Sequence, residues 1–575
     1  MSVPTPTKSS PSKNQTGGNL VSKITEMSKE KLAAFESYRA HDAFHPPSAR
    51  VVSFWVFLGV VIFLLILLLN KLDQLCLSGL RFVPHIVVLY ILSCIFRLWI
   101  QCEWALWTAW RRGLNFEERG LFKASREEEI AKLRKKLESN GPCPILPHGS
   151  PKVLCITGYG GGGHEATLNG VRAVMAEAGF KPTIMDVPVG FFVETSEKNL
   201  LWLIFGVTGE QLYNWGLRQG AFLAFAVAWS TSYLQHWALC FDQILGASMK
   251  LLGLDLGDEA AKLCCRVWTE TAPDMICNFT TGTSNFMAKG LRRAGLSHIP
   301  VVLIISDFEG VGAHSWIESR GDNVVCGTSL CRQQALNMGV PPDQVFQTSG
   351  MILRPAFYEA VDISPDRGAA LRRLGLDPGR RTCLVFWGGV GSGKVVEAGR
   401  AVLAAREPLN LIFLCGRNTQ LQEQLQQMAW PVKVLIEGYT SNVSFYMQVS
   451  DMIVCKPGPG VASEAALLGL PILVEWSAFT LPQEVAVCKW VVSRGLGLGF
   501  SRMGQLAALV DRVCSLLGPF DTARQLRPIP IAREGMTGVD MNPADNKAVF
   551  EVPSILHGLL VARYGPGSGG RAKAD

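Results

Sequence analysis

Charged side chains are scarce in this 575-residue chain: Asp, Glu, Lys and Arg together make up 18%, against 48% hydrophobic residues. That apolar share, with a mean hydropathy of +0.21, excludes an intrinsically disordered protein. The 57 glycines and the charge that is present exclude a pure transmembrane bundle. Concentrated positive charge is also missing from the body. Lys+Arg 55 against Asp+Glu 48 leaves +7, but residues 1–112 hold 12 basic and 6 acidic side chains and so account for +6 of it. A nearly neutral body argues against a nucleic-acid binder. It places the excess where an anionic membrane surface would attract it. The 16 cysteines contain no C-x-x-C and no zinc-ligand spacing, so buried thiols in a reducing compartment are the simplest reading. Asn278-Phe-Thr280 and Asn442-Val-Ser444 match the glycosylation sequon, which matters only if the body faces a lumen; a cytoplasmic body is expected.

What is present divides the chain. Residues 1–47 read as a disordered tail whose first 22 positions carry no acidic residue and no Arg. Residues 48–112 read as a membrane segment or hairpin. Val51–Leu69 is uncharged and long enough to cross a hydrocarbon core of about 30 Å. Phe82–Ile100, followed by Trp104, Trp107, Trp110 and Arg111-Arg112, either completes a hairpin or lies at the head groups. Basic residues flank both outer ends, so a hairpin would leave both termini in the cytoplasm. Residues 113–150 read as a solvated, charged juxtamembrane helix and a Pro/Gly linker.

From Lys152 the pattern changes to short apolar runs, each followed by a glycine-rich turn and a helical stretch. Lys152–Thr157, Val301–Ile305, Thr382–Trp387, Leu411–Cys415, Met452–Cys455 and Ile472–Val474 read as buried parallel strands. Two halves, 151–360 and 361–520, predict an α/β protein: two Rossmann-like, doubly wound domains facing a cleft. Residues 200–255 form an apolar insertion, either helical core or a lipid-facing surface, and 521–575 a C-terminal segment and flexible tail.

Three loops can carry chemistry. Gly158-Tyr-Gly-Gly-Gly-Gly-His164 follows a strand and precedes a helix; its glycines permit close backbone approach, and a neutral His164 can take a proton from a hydroxyl. A non-catalytic nucleotide-binding turn fits the same glycines. Gly388-Gly389-Val-Gly-Ser-Gly-Lys394 has phosphate-loop spacing but places Val395 where a magnesium-binding hydroxyl belongs. It therefore reads as a turn, or as a loop touching a diphosphate. Lys456-Pro-Gly458-Pro-Gly460 enters a helix, directing N–H groups at whatever lies above it. Glu464, one turn in, is either a helix-surface glutamate or a partner for two ribose hydroxyls.

In order, GGGH (161–164), Tyr213-Asn214, His314-x-Trp316, Asp322, Gly350 to Phe357, Gly416-Arg417-Asn418, Gly438-Tyr439-Thr440, KPGPGVASEA and Gln483-Glu484 resemble the monogalactosyldiacylglycerol synthases of glycosyltransferase family 28. Bacterial diacylglycerol glucosyltransferases and the peptidoglycan N-acetylglucosaminyltransferase belong to the same group. The resemblance spans about 151–500. It implies a GT-B fold and inverting transfer of a hexose from UDP-galactose or UDP-glucose to a lipid hydroxyl, diacylglycerol first, without cofactor or metal. In keeping with the last point there is no Asp-x-Asp, and Asp307-Phe-Glu309 is the nearest pair. On matching positions, the resemblance makes His164 the base or a residue that helps bind the acceptor. It gives the nucleotide to Arg417, Gly438, Tyr439, Thr440, Gly458, Gly460, Ser463 and Glu464, the hexose to Gln483 and Glu484, and the acceptor to Gly162, Gly163, His314 and Trp316; Gly388 and Gly389 join the nucleotide set only as the glycine loop read above. Val485 to Lys489 depart from the Gly-Asn that follows Gln-Glu in the family. A sterol, ceramide or polyprenyl acceptor, and a non-catalytic nucleotide-sugar or lipid-binding scaffold, are the alternatives. An endoplasmic reticulum membrane is the expected location, with a plastid envelope as the alternative.

Overall fold

The computed structural model describes residues 125–158, 163–180, 182–187, 256–281, 283–308, 316–317, 321–359, 367–477, 480–520 and 541–565. All belong to one compact unit, Pro47–Asp575. Val51–Leu69, Phe82–Ile100 and the insertion up to residue 255 lie outside the described residues. Among the described residues no helix is long and apolar enough to cross a membrane.

The first domain opens with helix α1 (Arg126–Ser139), which starts where the Ser125 hydroxyl accepts from Glu128 N and three glutamates occupy the first turn. One face of this charged helix is not solvated. Ile130, Leu133 and Leu137 recur at helical spacing and are buried in the domain core. Then come β1 (Lys152–Ile156), α2 (Gly163–Glu177), β2 (Thr183–Val187), α3 (Leu256–Thr271), β3 (Met275–Asn278), α4 (Ser284–Arg293), β4 (Val301–Ile304), β5 (Asn323–Cys326), α5 (Ser329–Asn337) and β6 (Val345–Gln347). The six strands make a parallel sheet in the order β2-β1-β3-β4-β5-β6.

The second domain runs through α6 (Arg367–Arg373), β7 (Thr382–Phe386), α7 (Lys394–Val402), β8 (Asn410–Leu414), α8 (Thr419–Gln427), β9 (Val434–Glu437), α9 (Val443–Gln448), β10 (Met452–Cys455), α10 (Pro459–Leu467), β11 (Ile472–Glu475), α11 (Val485–Ser493), β12 (Gly497–Phe500) and α12 (Leu506–Leu517). Its sheet, also parallel throughout, has the order β12-β11-β10-β7-β8-β9. Central strands are buried on both faces and hence nearly all apolar, as Met452–Cys455 illustrates. Each fully buried Leu, Ile or Val there contributes about 1.5–3 kcal/mol.

Within 521–575, α13 (Ala548–Tyr564) returns to the first domain. Its His557 Nε2 lies 2.8 Å from the Gly141 carbonyl, and its Tyr564 hydroxyl donates to the Asp274 carbonyl at 3.0 Å. Asn278 is fully buried at the end of β3, where its side chain holds Thr283 Oγ1 and Thr280 N. In the folded chain it is therefore inaccessible to a glycan, whatever its sequon, whereas Asn442 is exposed.

In each sheet the chain reverses its direction of growth once, between β1 and β3 and between β7 and β10. A ligand crevice belongs at the carboxyl ends of strands at such a point. In the second domain the two loops concerned are the glycine turn at 388–393 and the KPGPG turn at 456–460, about seventy residues apart in sequence.

Candidate functional site in the cleft

On the first domain, α2 begins with Gly163, and His164 is its second residue. His164 Nδ1 lies 3.3 Å from Ser306 Oγ, just past β4, and its ring centroid is 5.4 Å from that of Trp316. The half-buried side chain is enclosed closely enough that burial lowers its pKa from 6.5 to about 4, against a backbone hydrogen bond at Phe279. The imidazole is therefore neutral at physiological pH. Burial is the main cause, whatever the α2 dipole adds. Trp316 is fully buried rather than displayed toward an acceptor, and its indole donates to Asp307 Oδ2 at 2.9 Å. Burial pushes the Asp307 carboxyl up, while the Trp316 hydrogen bond and the Lys456 charge pull it down. His314 and Gly162 lie outside the described residues.

On the second domain, backbone geometry prevails. Gly388 and Gly391 have φ of +83° and +73°, and Gly416 has +59°. A Cβ at Gly391 would stand 2.1 Å from the Cys415 carbonyl, and one at Gly416 2.3 Å from that of Gly389. Arg417 N donates to the Gly389 carbonyl at 2.8 Å. The 388–391 turn is thus pressed against the 415–417 loop, a packing only glycine allows. Lys394 does not reach back over it as a phosphate-loop lysine would; its ammonium is paired with Glu475, which also accepts from the Trp387 indole at 3.3 Å.

The KPGPG turn sits beside it. Gly458 caps α10, with Pro459 as the first helical residue. Ser463 is buried and its hydroxyl has no partner among the described residues. Glu464 is buried too, and its Oε1 accepts from Arg354 Nη2 at 3.1 Å and Nε at 3.3 Å. Burial raises the Glu464 pKa and Arg354 opposes the rise. Gln483 and the buried Glu484 lie on a single 3-10 turn, and Glu484 Oε1 accepts from Lys456 at 2.6 Å. Tyr439 is 61% exposed, with the Arg417 guanidinium 4.3 Å above its ring centroid. Gly438 abuts Gln422, so that a Cβ there would meet its Oε1 at 2.8 Å. The Thr440 hydroxyl accepts from Asn442 N at 3.0 Å and so fixes its own turn.

Among the described residues two ion pairs join the halves at this site, Arg354–Glu464 and Arg417–Glu165. Arg417 Nη2 lies 3.1 Å from Glu165 Oε2, with side chains 21% and 14% exposed. Glu165 is the neighbour of His164, so the imidazole stands next to a contact with the loop that packs on the 388–391 turn. Sequence reasoning left four of these residues out of the site: Glu165, Asp307, Arg354 and Lys456. Each sits within or beside a motif that was recognised, but only its partner in space shows its use: Arg417 for Glu165, Trp316 for Asp307, Glu464 for Arg354 and Glu484 for Lys456.

Fold and site define a class: a two-domain, doubly wound α/β protein whose halves meet through the Arg417–Glu165 and Arg354–Glu464 ion pairs. Curated proteins similar to this chain include monogalactosyldiacylglycerol synthases. A probable chloroplastic monogalactosyldiacylglycerol synthase 2 from Oryza sativa is 32% identical over 217 residues, 36% of this chain and 45% of that protein. Monogalactosyldiacylglycerol synthase 1 from Arabidopsis thaliana is 23% identical over 417 residues, 71% of each. The chain thus spans about half the length of the rice relative it matches at higher identity. No family model matches. Solved structures with a similar course include Acinetobacter baumannii MurG, 12% identical with a TM-score of 0.37 over 70% of this chain and 99% of that one. Another is the UDP complex of Staphylococcus aureus MnaA, 14% identical with a TM-score of 0.39 over 70% and 94%.

Proposed function

We propose that this chain is a membrane-bound, inverting glycosyltransferase that moves a hexose from a UDP-sugar to a lipid hydroxyl, with galactose as donor sugar and diacylglycerol as acceptor. The observation that carries the reading is the Glu165–Arg417 contact, which ties the helix that begins at the neutral His164 to the loop packed on the 388–391 glycine turn. Relatives named as monogalactosyldiacylglycerol synthases favour this sugar and this lipid over the alternatives, and their chloroplastic names favour a plastid envelope over the endoplasmic reticulum. The apolar stretch Val51–Leu69 supports membrane attachment.

In this reading the neutral imidazole of His164 takes the proton of the acceptor hydroxyl. The oxygen attacks the anomeric carbon from the face opposite UDP. The bond from that carbon to the β-phosphate oxygen breaks, and its electron pair leaves with UDP. The backbone N–H of Gly460, at the start of α10, and those at 388–389 face the diphosphate, where charge grows in the transition state. Glu464 holds the ribose and Tyr439 borders the uracil, while Gln483 and Glu484 line the hexose position.

The test is incubation of membranes containing the full chain with isotopically labelled UDP-galactose or UDP-glucose, and identification of the product lipid by mass and anomeric configuration. A β-galactosyl diacylglycerol is expected. Absence of labelled lipid with either donor would refute the reading, and a glycosylated sterol or ceramide would replace the acceptor.

A further inference from the structure

Among the described residues four cations have been placed at this site, three on the second domain and Arg354 on the first, and three of the four are paired away from the glycine turns or across to the other half. Lys394 is paired with Glu475, Arg417 with Glu165 and Arg354 with Glu464. Lys456 differs in position. It leaves the end of β10 at the switch point, and a Cβ added to Gly388 would lie 3.3 Å from its Cε, one added to Gly458 3.5 Å from Cε and 3.9 Å from Nζ. Its methylenes therefore lie against both turns. Beside it, Gly389, Gly393 and Gly460 have nothing within 4 Å of a would-be Cβ, so their backbone faces open space. The ammonium is held by the buried Glu484 at 2.6 Å, and its charge acts on Asp307 of the first domain.

Resting on the nucleotide-sugar reading above, we propose that Lys456 is the counter-charge of the donor diphosphate, held between the two glycine turns by Glu484 until the donor binds. Lysine serves phosphate as a mobile point charge. Here the ammonium needs only to turn from the Glu484 carboxylate toward the open backbone. As the bond from the anomeric carbon to oxygen breaks, the negative charge that collects on the leaving diphosphate meets a cation already in place. Because Glu484 is the carboxylate that lines the hexose position, donor binding and release of Glu484 become a single event.

The test is calorimetric titration of the purified full chain with two probes, UDP and uridine, which differ only in the diphosphate. The variants are Lys456→Arg, which keeps the charge, and the double variant Lys456→Met with Glu484→Gln, which avoids a buried carboxylate without its partner. The double variant is expected to lose at least about tenfold in UDP affinity, as for one charge-assisted hydrogen bond, while uridine affinity is unchanged and Lys456→Arg keeps most of the UDP affinity. Unaltered UDP affinity in the double variant would overturn the proposal and leave the nucleotide reading standing. Equal losses for UDP and uridine would also overturn it, by assigning Lys456 to the shape of the site. A wild-type chain that binds neither probe would overturn the nucleotide reading itself, and this proposal with it.

Discussion

The two sides of the cleft are built from the same strand-loop-helix unit but handle charge in opposite ways. On the first domain, the groups at the strand ends are enclosed side chains: His164, Ser306, Asp307 and Trp316 touch in series, and burial drives both His164 and Asp307 toward their neutral forms. On the second domain the strand ends carry bare glycine backbone, and the side chains around it are ion pairs, Lys456 with Glu484 and Lys394 with Glu475. A low-dielectric wall favours proton transfer, because it prevents the base from being protonated before it acts. Exposed N–H groups with a nearby cation favour a multiply charged ligand. Under the function proposed above, the difference gives proton chemistry to one half and diphosphate binding to the other.

The comparison breaks most sharply at His164. His164→Ala should lower lipid glycosylation by at least about a hundredfold while UDP binding and the melting profile remain near native. Near-normal turnover would remove proton chemistry from the first domain. The same residue makes a pH prediction. Its folded pKa of about 4 lies below its ordinary 6.5, so as pH falls through that window the unfolded chain takes up a proton that the folded chain refuses, and stability declines. Above 6.5 both states are neutral and the contribution vanishes. Denaturant titrations of wild type and His164→Gln at pH 7 and pH 5 should show the smaller acid loss in the variant.

Glu464→Gln tests the other half. A carboxylate that holds ribose hydroxyls acts equally in ground and transition states, so the donor KM should rise about tenfold with a smaller change in kcat. The amide retains an acceptor for Arg354, which limits the structural cost. A purely structural Glu464 would leave UDP binding unaltered.

Glu165→Gln sharpens the comparison by cutting one link between the halves. Its partner Arg417 keeps its stack on Tyr439, so UDP affinity should change less than threefold while kcat falls about threefold to tenfold, through poorer placement of His164. Equal effects on both quantities would locate Glu165 in the nucleotide site instead. The smallest effect is expected at Lys394. Lys394→Met removes the cation that a phosphate-loop reading would make essential, yet UDP affinity should stay within about twofold, since the ammonium is spent on Glu475. A large loss would restore the phosphate-loop reading.

How much of this was legible beforehand can be traced through particular elements. Apolar runs such as Met452–Cys455 marked central strands, because a strand covered on both faces must be apolar throughout. Less uniform strands escaped notice: Thr183–Val187 is interrupted by Asp186, and Val434–Glu437 is only half-buried along its length. Ser125–Asn140 looked solvated because its charges outnumber its apolar residues, although Ile130, Leu133 and Leu137 already lay on one face. Asn278 shows the opposite failure, since its sequon is legible and its burial is not.

The sequence by itself determined the local matters: two runs of strand, glycine turn and helix, a His at one helix start, and a turn chemistry at 388–391 and 456–460 that only glycine and proline can supply. These depend on steric freedom and on periodicity, properties of neighbouring residues. Tertiary structure alone decided that the turns at 388 and 458 share a switch point, that Lys456 rather than Lys394 lies between them, that Glu165 meets Arg417 and Arg354 meets Glu464, and that His164 is neutral chiefly through burial. Each of these depends on strand order and on enclosure by residues more than a hundred positions away, or on which carboxylate reaches a given cation first. Those are distances in space that no local pattern along the chain encodes.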